Sequence, residues 1–226
     1  MSKLKLFIRP QGILQISGII TLTGFFFLSF VPQVMAHHPF GGKTPSNFLE
    51  GFLSGLGHPI IGLDHFAFVV AAGLLVATVN KGVVSLIPFI FATIVGTVIH
   101  LFGWNLPGVE ILVAVSIITV GILLANNRTQ LQNSGEYKQI LAILAAIAGI
   151  FHGYAYGEAI VGAEMTPLIA YLAGFAVIQL LVAVAASILG KIILEKLPQQ
   201  PFSILRFLGL AIAGIGIIFL TSAAIS

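Results

Sequence analysis

The sequence predicts an all-α, polytopic membrane protein: six transmembrane helices behind an N-terminal signal peptide, with a short half-helix ahead of the first span. Of its 226 residues, 58% are hydrophobic and only 8% charged, against about 25% charged in an ordinary soluble domain. Mean hydropathy is +1.10. Apolar runs of about 20 residues, enough to cross a hydrocarbon core of about 30 Å, recur between short polar breaks. Basic residues alternate across those breaks as the positive-inside rule requires.

Lys3, Lys5 and Arg9 form a basic head, followed by an apolar stretch from about Ile13 to Val31. Val34-Met35-Ala36 then supplies the small-residue pattern of a cleavage site. Cleavage after Ala36 leaves a signal peptide, 1–36, and one transmembrane helical domain, 37–226; an uncleaved anchor helix is the rival. The mature chain then starts His37-His38-Pro39. Its new amino terminus and the His37 ring can chelate a divalent cation, although most chain ends are simply mobile.

Residues 46–57 are expected to form the half-helix. Ser46 suits the N-cap, and Leu49, Phe52, Leu53 and Leu56 recur at helical spacing. This segment is too short to span a bilayer. His58-Pro59 is expected to break it, because a residue before proline is pushed out of helical geometry. Spans are then expected at 59–79, 83–102, 107–125, 138–157, 166–190 and 203–224. Internal repeats and long linkers are lacking, so a single domain is expected.

With the mature N-terminus outside, inner segments carry Lys81, Arg128, Lys138, Lys191, Lys196 and Arg206, and outer ones carry Lys43. Both mature termini then lie outside. His37, His38, His58, His65, His100 and His152 all fall in the outer half, with Glu50, Asp64, Glu110, Glu158 and Glu164. Such a vestibule concentrates cations. There are no cysteines, which excludes disulfides, thiolate ligands and cysteine nucleophiles.

Two constellations carry candidate chemistry. The first is His58-Pro59-Ile60-Ile61-Gly62-Leu63-Asp64-His65. Ionisable groups inside a span are expensive and mark function by default. Imidazole and carboxylate suit Ni²⁺, Co²⁺ and Zn²⁺, and the lack of sulfur argues against Cu(I). His58 and His65, however, would sit about 10 Å apart along a straight helix, too far to share one ion. Either a kink or another segment must complete the site, His152 being the first candidate. An Asp64–His65 hydrogen bond that merely satisfies the pair is the structural alternative.

The second constellation is Phe151-His152-Gly153-Tyr154-Ala155-Tyr156-Gly157-Glu158, where His152 and Tyr156 share a helical face. Gly149, Gly153 and Gly157 form a ridge for close helix packing. His100 reads as interfacial or as a ligand. Glu110 either complements the helix dipole or binds metal. Gln179 and Tyr171 either line a path or cross-link helices.

At these two motifs the sequence resembles the HupE/UreJ family of nickel and cobalt permeases. His58-Pro59-x-x-Gly62-x-Asp64-His65 matches the family's first-helix signature, and Phe151-His152-Gly153-x-Ala155 matches the start of its F-H-G-x-A-H-G-x-E signature. Tyr156 replaces that signature's second histidine, and its glutamate position falls at Ala159, one residue after Glu158. The resemblance implies metal roles for His58, Asp64, His65 and His152, with Glu158 able to serve only if the helix loosens near Gly157.

It also implies secondary uptake of Ni²⁺ or Co²⁺ through the cytoplasmic (inner) membrane, with the metal as cargo, no catalytic cofactor and no enzyme activity. A P-loop is absent, so drive is expected from a gradient, the membrane potential, an intracellular sink or a partner. The expected partners are the metal ion and the lipid bilayer, with no nucleic acid; a homo-oligomer or a metal-accepting protein is left open. The alternatives are an intramembrane metal-dependent hydrolase, disfavoured by the lack of an HExxH motif, and a membrane metal chaperone that does not transport.

Overall fold

The computed structural model describes residues 43–79, 82–126, 134–196 and 201–225, and among these every regular element is helical. In chain order they are α1 (Phe48–Ile61), α2 (Leu63–Ala77), a 3-10 segment (Gly82–Leu86), α3 (Ile87–Leu101), α4 (Val109–Ala125), α5 (Gly135–Gly157), a 3-10 turn (Glu158–Ile160), α6 (Met165–Lys196) and α7 (Pro201–Ile225). The expected signal peptide, His37 and His38 lie outside the described residues.

Segments Gly82–Leu101, Gly135–Ile160, Met165–Glu195 and Ile204–Ile225 are each long and apolar enough to cross a membrane. The α1–α2 pair makes a fifth if it counts as one broken span. Helix α4 is apolar but has 17 residues, about 25 Å of rise.

The half-helix differs from expectation in its ends. Asn47, not Ser46, caps α1, with its side-chain oxygen accepting from the Glu50 amide at 3.0 Å. Ser46 instead donates twice, from its amide and its hydroxyl, to the Glu50 carboxylate at 2.8 Å. The helix also continues through His58-Pro59 and stops at Gly62. Proline forfeits one backbone bond, but α1 is pressed so tightly on α6 that a Cβ on Gly55 would overlap the Tyr171 carbonyl. That packing holds the last turn helical. Gly62 is where the chain escapes, at φ −71° and ψ 95°. Its amide still donates to the His58 carbonyl, while its carbonyl already accepts from Phe66. The two helices meet there at a 77° bend.

Glycines bring two further helix pairs into backbone contact. A Cβ on Gly153 would overlap Thr93 of α3, one on Gly96 would overlap Ile150 of α5, and one on Gly121 would come within 2.7 Å of the Gly209 carbonyl of α7. With no hydrophobic drive between helices in lipid, such close packing is a main source of association. Thr97 ties the α3–α5 seam further by donating to the Gly153 carbonyl at 2.8 Å. Beneath Phe68 lies an apolar cavity of about 30 Å³, bordered by Leu75, Leu86, Val120, Leu141 and Leu144 among others.

Candidate functional site

His58 lies in the last turn of α1 and His65 in the first turn of α2, on opposite sides of the bend. The bend folds the chain so that their ring centroids stand 5.8 Å apart at 45°. Gly62 permits this approach sterically: a Cβ there would stand 2.7 Å from Cδ2 of His65. His152 enters from α5, its Nδ1 at 2.8 Å from Nδ1 of His65. The kink and the third histidine thus act together. His58, His65 and His152 are 0%, 1% and 0% exposed.

Aromatic side chains wall the three imidazoles. Tyr156, one turn after His152, stands edge-on to His58 at 5.0 Å and to His65 at 4.5 Å. Phe68 packs on His152 at 4.5 Å. The Tyr156 hydroxyl is buried and has no hydrogen-bond partner among the described residues. A polar group in that state is costly and asks for an explanation.

Asp64 is half-buried, and its Oδ1 accepts from the His65 amide at 2.8 Å and lies 3.9 Å from Nε2 of His65. Because α2 starts at Leu63, this carboxylate occupies a first helical turn rather than mid-span. There the helix dipole favours it.

The other candidates stand apart. His100, in the last turn of α3, is half-buried with its ring against Tyr154 at 4.5 Å. Glu110 is exposed in the first turn of α4. The α5 helix does loosen at Gly157 into a 3-10 turn, and Glu158 is exposed at its start. Among the described residues, no group of three or more His, Cys, Asp or Glu is arranged to hold a metal ion. The Nδ1 atoms of His65 and His152 are hydrogen-bonded to each other.

Two hydroxyls complete the cluster. Ser116 of α4 lies 2.9 Å from Nε2 of His152, and Tyr171 of α6 lies 3.1 Å from Nδ1 of His58. In the sequence, Ser116 is one small polar residue in an apolar helix, with no motif to single it out. Tyr171 reads equally as a path-lining or a cross-linking residue, and its partner becomes visible only once α1 is packed on α6.

Fold and cluster define a class: an all-helical, multi-pass membrane protein with imidazoles buried between its helices. The family model for HupE / UreJ protein matches residues 25–219. The chain belongs to this family. It is 32% identical over 131 residues to Protein HupE of Rhizobium leguminosarum bv. viciae, a match covering 56% of this chain and 63% of that relative. No solved structure matches.

Proposed function

We propose that this protein carries a divalent transition-metal ion, Ni²⁺ or Co²⁺, inward across the cytoplasmic membrane by secondary transport, with no catalytic step. The observation behind this reading is the meeting of His58, His65 and His152 in one buried cluster across the Gly62 bend. Uncharged imidazoles can strip part of an ion's hydration shell, and Asp64 at the cluster's edge offsets its charge. In this reading the bent pair and α4 complete six crossings, 17 residues being the short limit for a span. The termini and the mouth of the cluster face outward. His37, His38, His100, Glu110 and Glu158 act in collecting ions before they reach the rings.

The membrane potential is worth about 2.3 kcal/mol per charge per 100 mV, hence about 4.6 kcal/mol for a divalent ion. That sustains a concentration ratio of about 10³ without ATP. Radioactive Ni²⁺ and Co²⁺ uptake into energised vesicles tests the proposal. His58→Ala, Asp64→Ala and His65→Ala should each abolish uptake while the protein still inserts. Uptake unchanged in all three variants would refute the site. Competition between the two metals in the same vesicles decides the preferred cargo.

A further inference from the structure

We infer that Ser116 and Tyr171 are positioning residues that fix which ring nitrogen of each histidine bears the proton, so that His58 and His65 both turn an Nε2 lone pair to the cargo. The cargo part rests on the uptake reading above; the proton assignment stands on hydrogen bonds alone.

A hydroxyl has one proton to give. Ser116 gives its proton to the Val113 carbonyl at 2.6 Å, so toward His152 its oxygen can only accept. Nε2 of His152 therefore carries a proton. In a neutral imidazole the other nitrogen is then bare, and Nδ1 of His152 accepts from His65 across 2.8 Å. His65 is thereby protonated at Nδ1 and has its lone pair on Nε2. The same logic holds at His58. Tyr171 gives its proton to the Tyr156 carbonyl at 2.8 Å and accepts from Nδ1 of His58 at 3.1 Å. His58 too is left with its lone pair on Nε2.

Two independent chains, one anchored in α4 and one in α6, thus set the same tautomer on the two histidines that flank the bend. The Val113 and Tyr156 carbonyls are fixed backbone acceptors, so neither chain can reverse without losing a buried bond. The partner of a ligating imidazole orients the ring and selects its donor atom, and removing such partners weakens metal binding by about 10- to 100-fold.

The test uses the full chain in lipid nanodiscs, selectively labelled with ¹⁵N-histidine; with six histidines the spectrum stays small. Without metal, His58 and His65 should show a proton on Nδ1, and His152 on Nε2. Ser116→Ala should mix the tautomers of His152 and, through it, of His65, leaving His58 unmoved. Tyr171→Phe should mix those of His58 alone. Ser116→Thr, which keeps the hydroxyl, should restore the wild-type pattern. Ni²⁺ titration should show binding weakened about 10- to 100-fold in the two disrupted variants and restored by threonine.

A wild-type His65 protonated on Nε2 overturns the inference, as does a Ser116→Ala spectrum identical to wild type. Unaltered Ni²⁺ affinity in both disrupted variants overturns the positioning role. Failure of the wild type to bind Ni²⁺ or Co²⁺ at all would sink the uptake reading, while the proton assignment is judged by the metal-free spectra.

Discussion

Gly62→Ala is the most informative single change, because it acts on the bend without removing any polar group. A φ of −71° is open to alanine, so the effect is steric rather than conformational. The new Cβ would lie 2.7 Å from Cδ2 of His65, 3.2 Å from Oδ1 of Asp64 and 3.2 Å from the His58 carbonyl. Ordinary contact begins at 3.4 Å, so the ring must retreat by about 3.4 − 2.7 = 0.7 Å. Taken along the bond to His152, that stretches 2.8 Å to about 3.5 Å, beyond a useful hydrogen bond. Overpacking costs about 1–3 kcal/mol, and replacing glycine returns about 0.4–1 kcal/mol through the unfolded chain. The net loss should be about 1 kcal/mol, too little to unfold the protein.

Ni²⁺ uptake by Gly62→Ala should therefore fall far more than thermal stability does. Vesicle uptake and a thermal melt of the same preparation measure the two. Gly214→Ala is the control, since its Cβ would meet nothing within 4 Å. A Gly62→Ala protein with wild-type uptake and wild-type KM would show that the bend does not set the cluster's geometry.

Tyr156→Phe deletes a buried hydroxyl that lacks a hydrogen-bond partner among the described residues; it should raise stability in a thermal melt by about 1–2 kcal/mol. Gly153→Ala should force α3 and α5 apart at Thr93 and strain the bond from Thr97, costing about 1–3 kcal/mol of stability read by the melting midpoint. Uptake should also decline as external pH is lowered. Protonation places a hydrogen on the lone pair that would bind metal, so the loss lies on the acid side, and a pH series of initial rates checks it.

The helices were legible because apolar runs between polar breaks leave little choice in a membrane. Their ends were less so. Proline at 59 looked like the stop, yet contact of Gly51 and Gly55 with α6 outweighed its local preference and moved the break three residues on, to Gly62. That shift could not be read from local propensity, since it depends on a helix more than a hundred residues away. The spacing of His58 and His65 did announce that a straight helix would fail, and the glycine ridge on α5 foretold close packing with another helix. What no pattern disclosed was Ser116. Its meaning resides in a hydrogen bond to His152, 36 positions later in the chain. Tyr156 was visible as a face-sharing neighbour of His152 and as a substitution in a motif, and its place between two imidazoles followed from the bend.

The apolar cavity beneath the cluster bears on electrical insulation. Its 30 Å³ would hold about one water molecule, but its walls are almost entirely hydrocarbon, and such spaces stay dry. Phe68 borders that cavity and also covers His152. An apolar lining of this kind gives a water few hydrogen-bond partners next to the imidazoles. Under the uptake proposed above, a hydrocarbon lining beside the rings would help the bilayer hold the voltage that drives the ion.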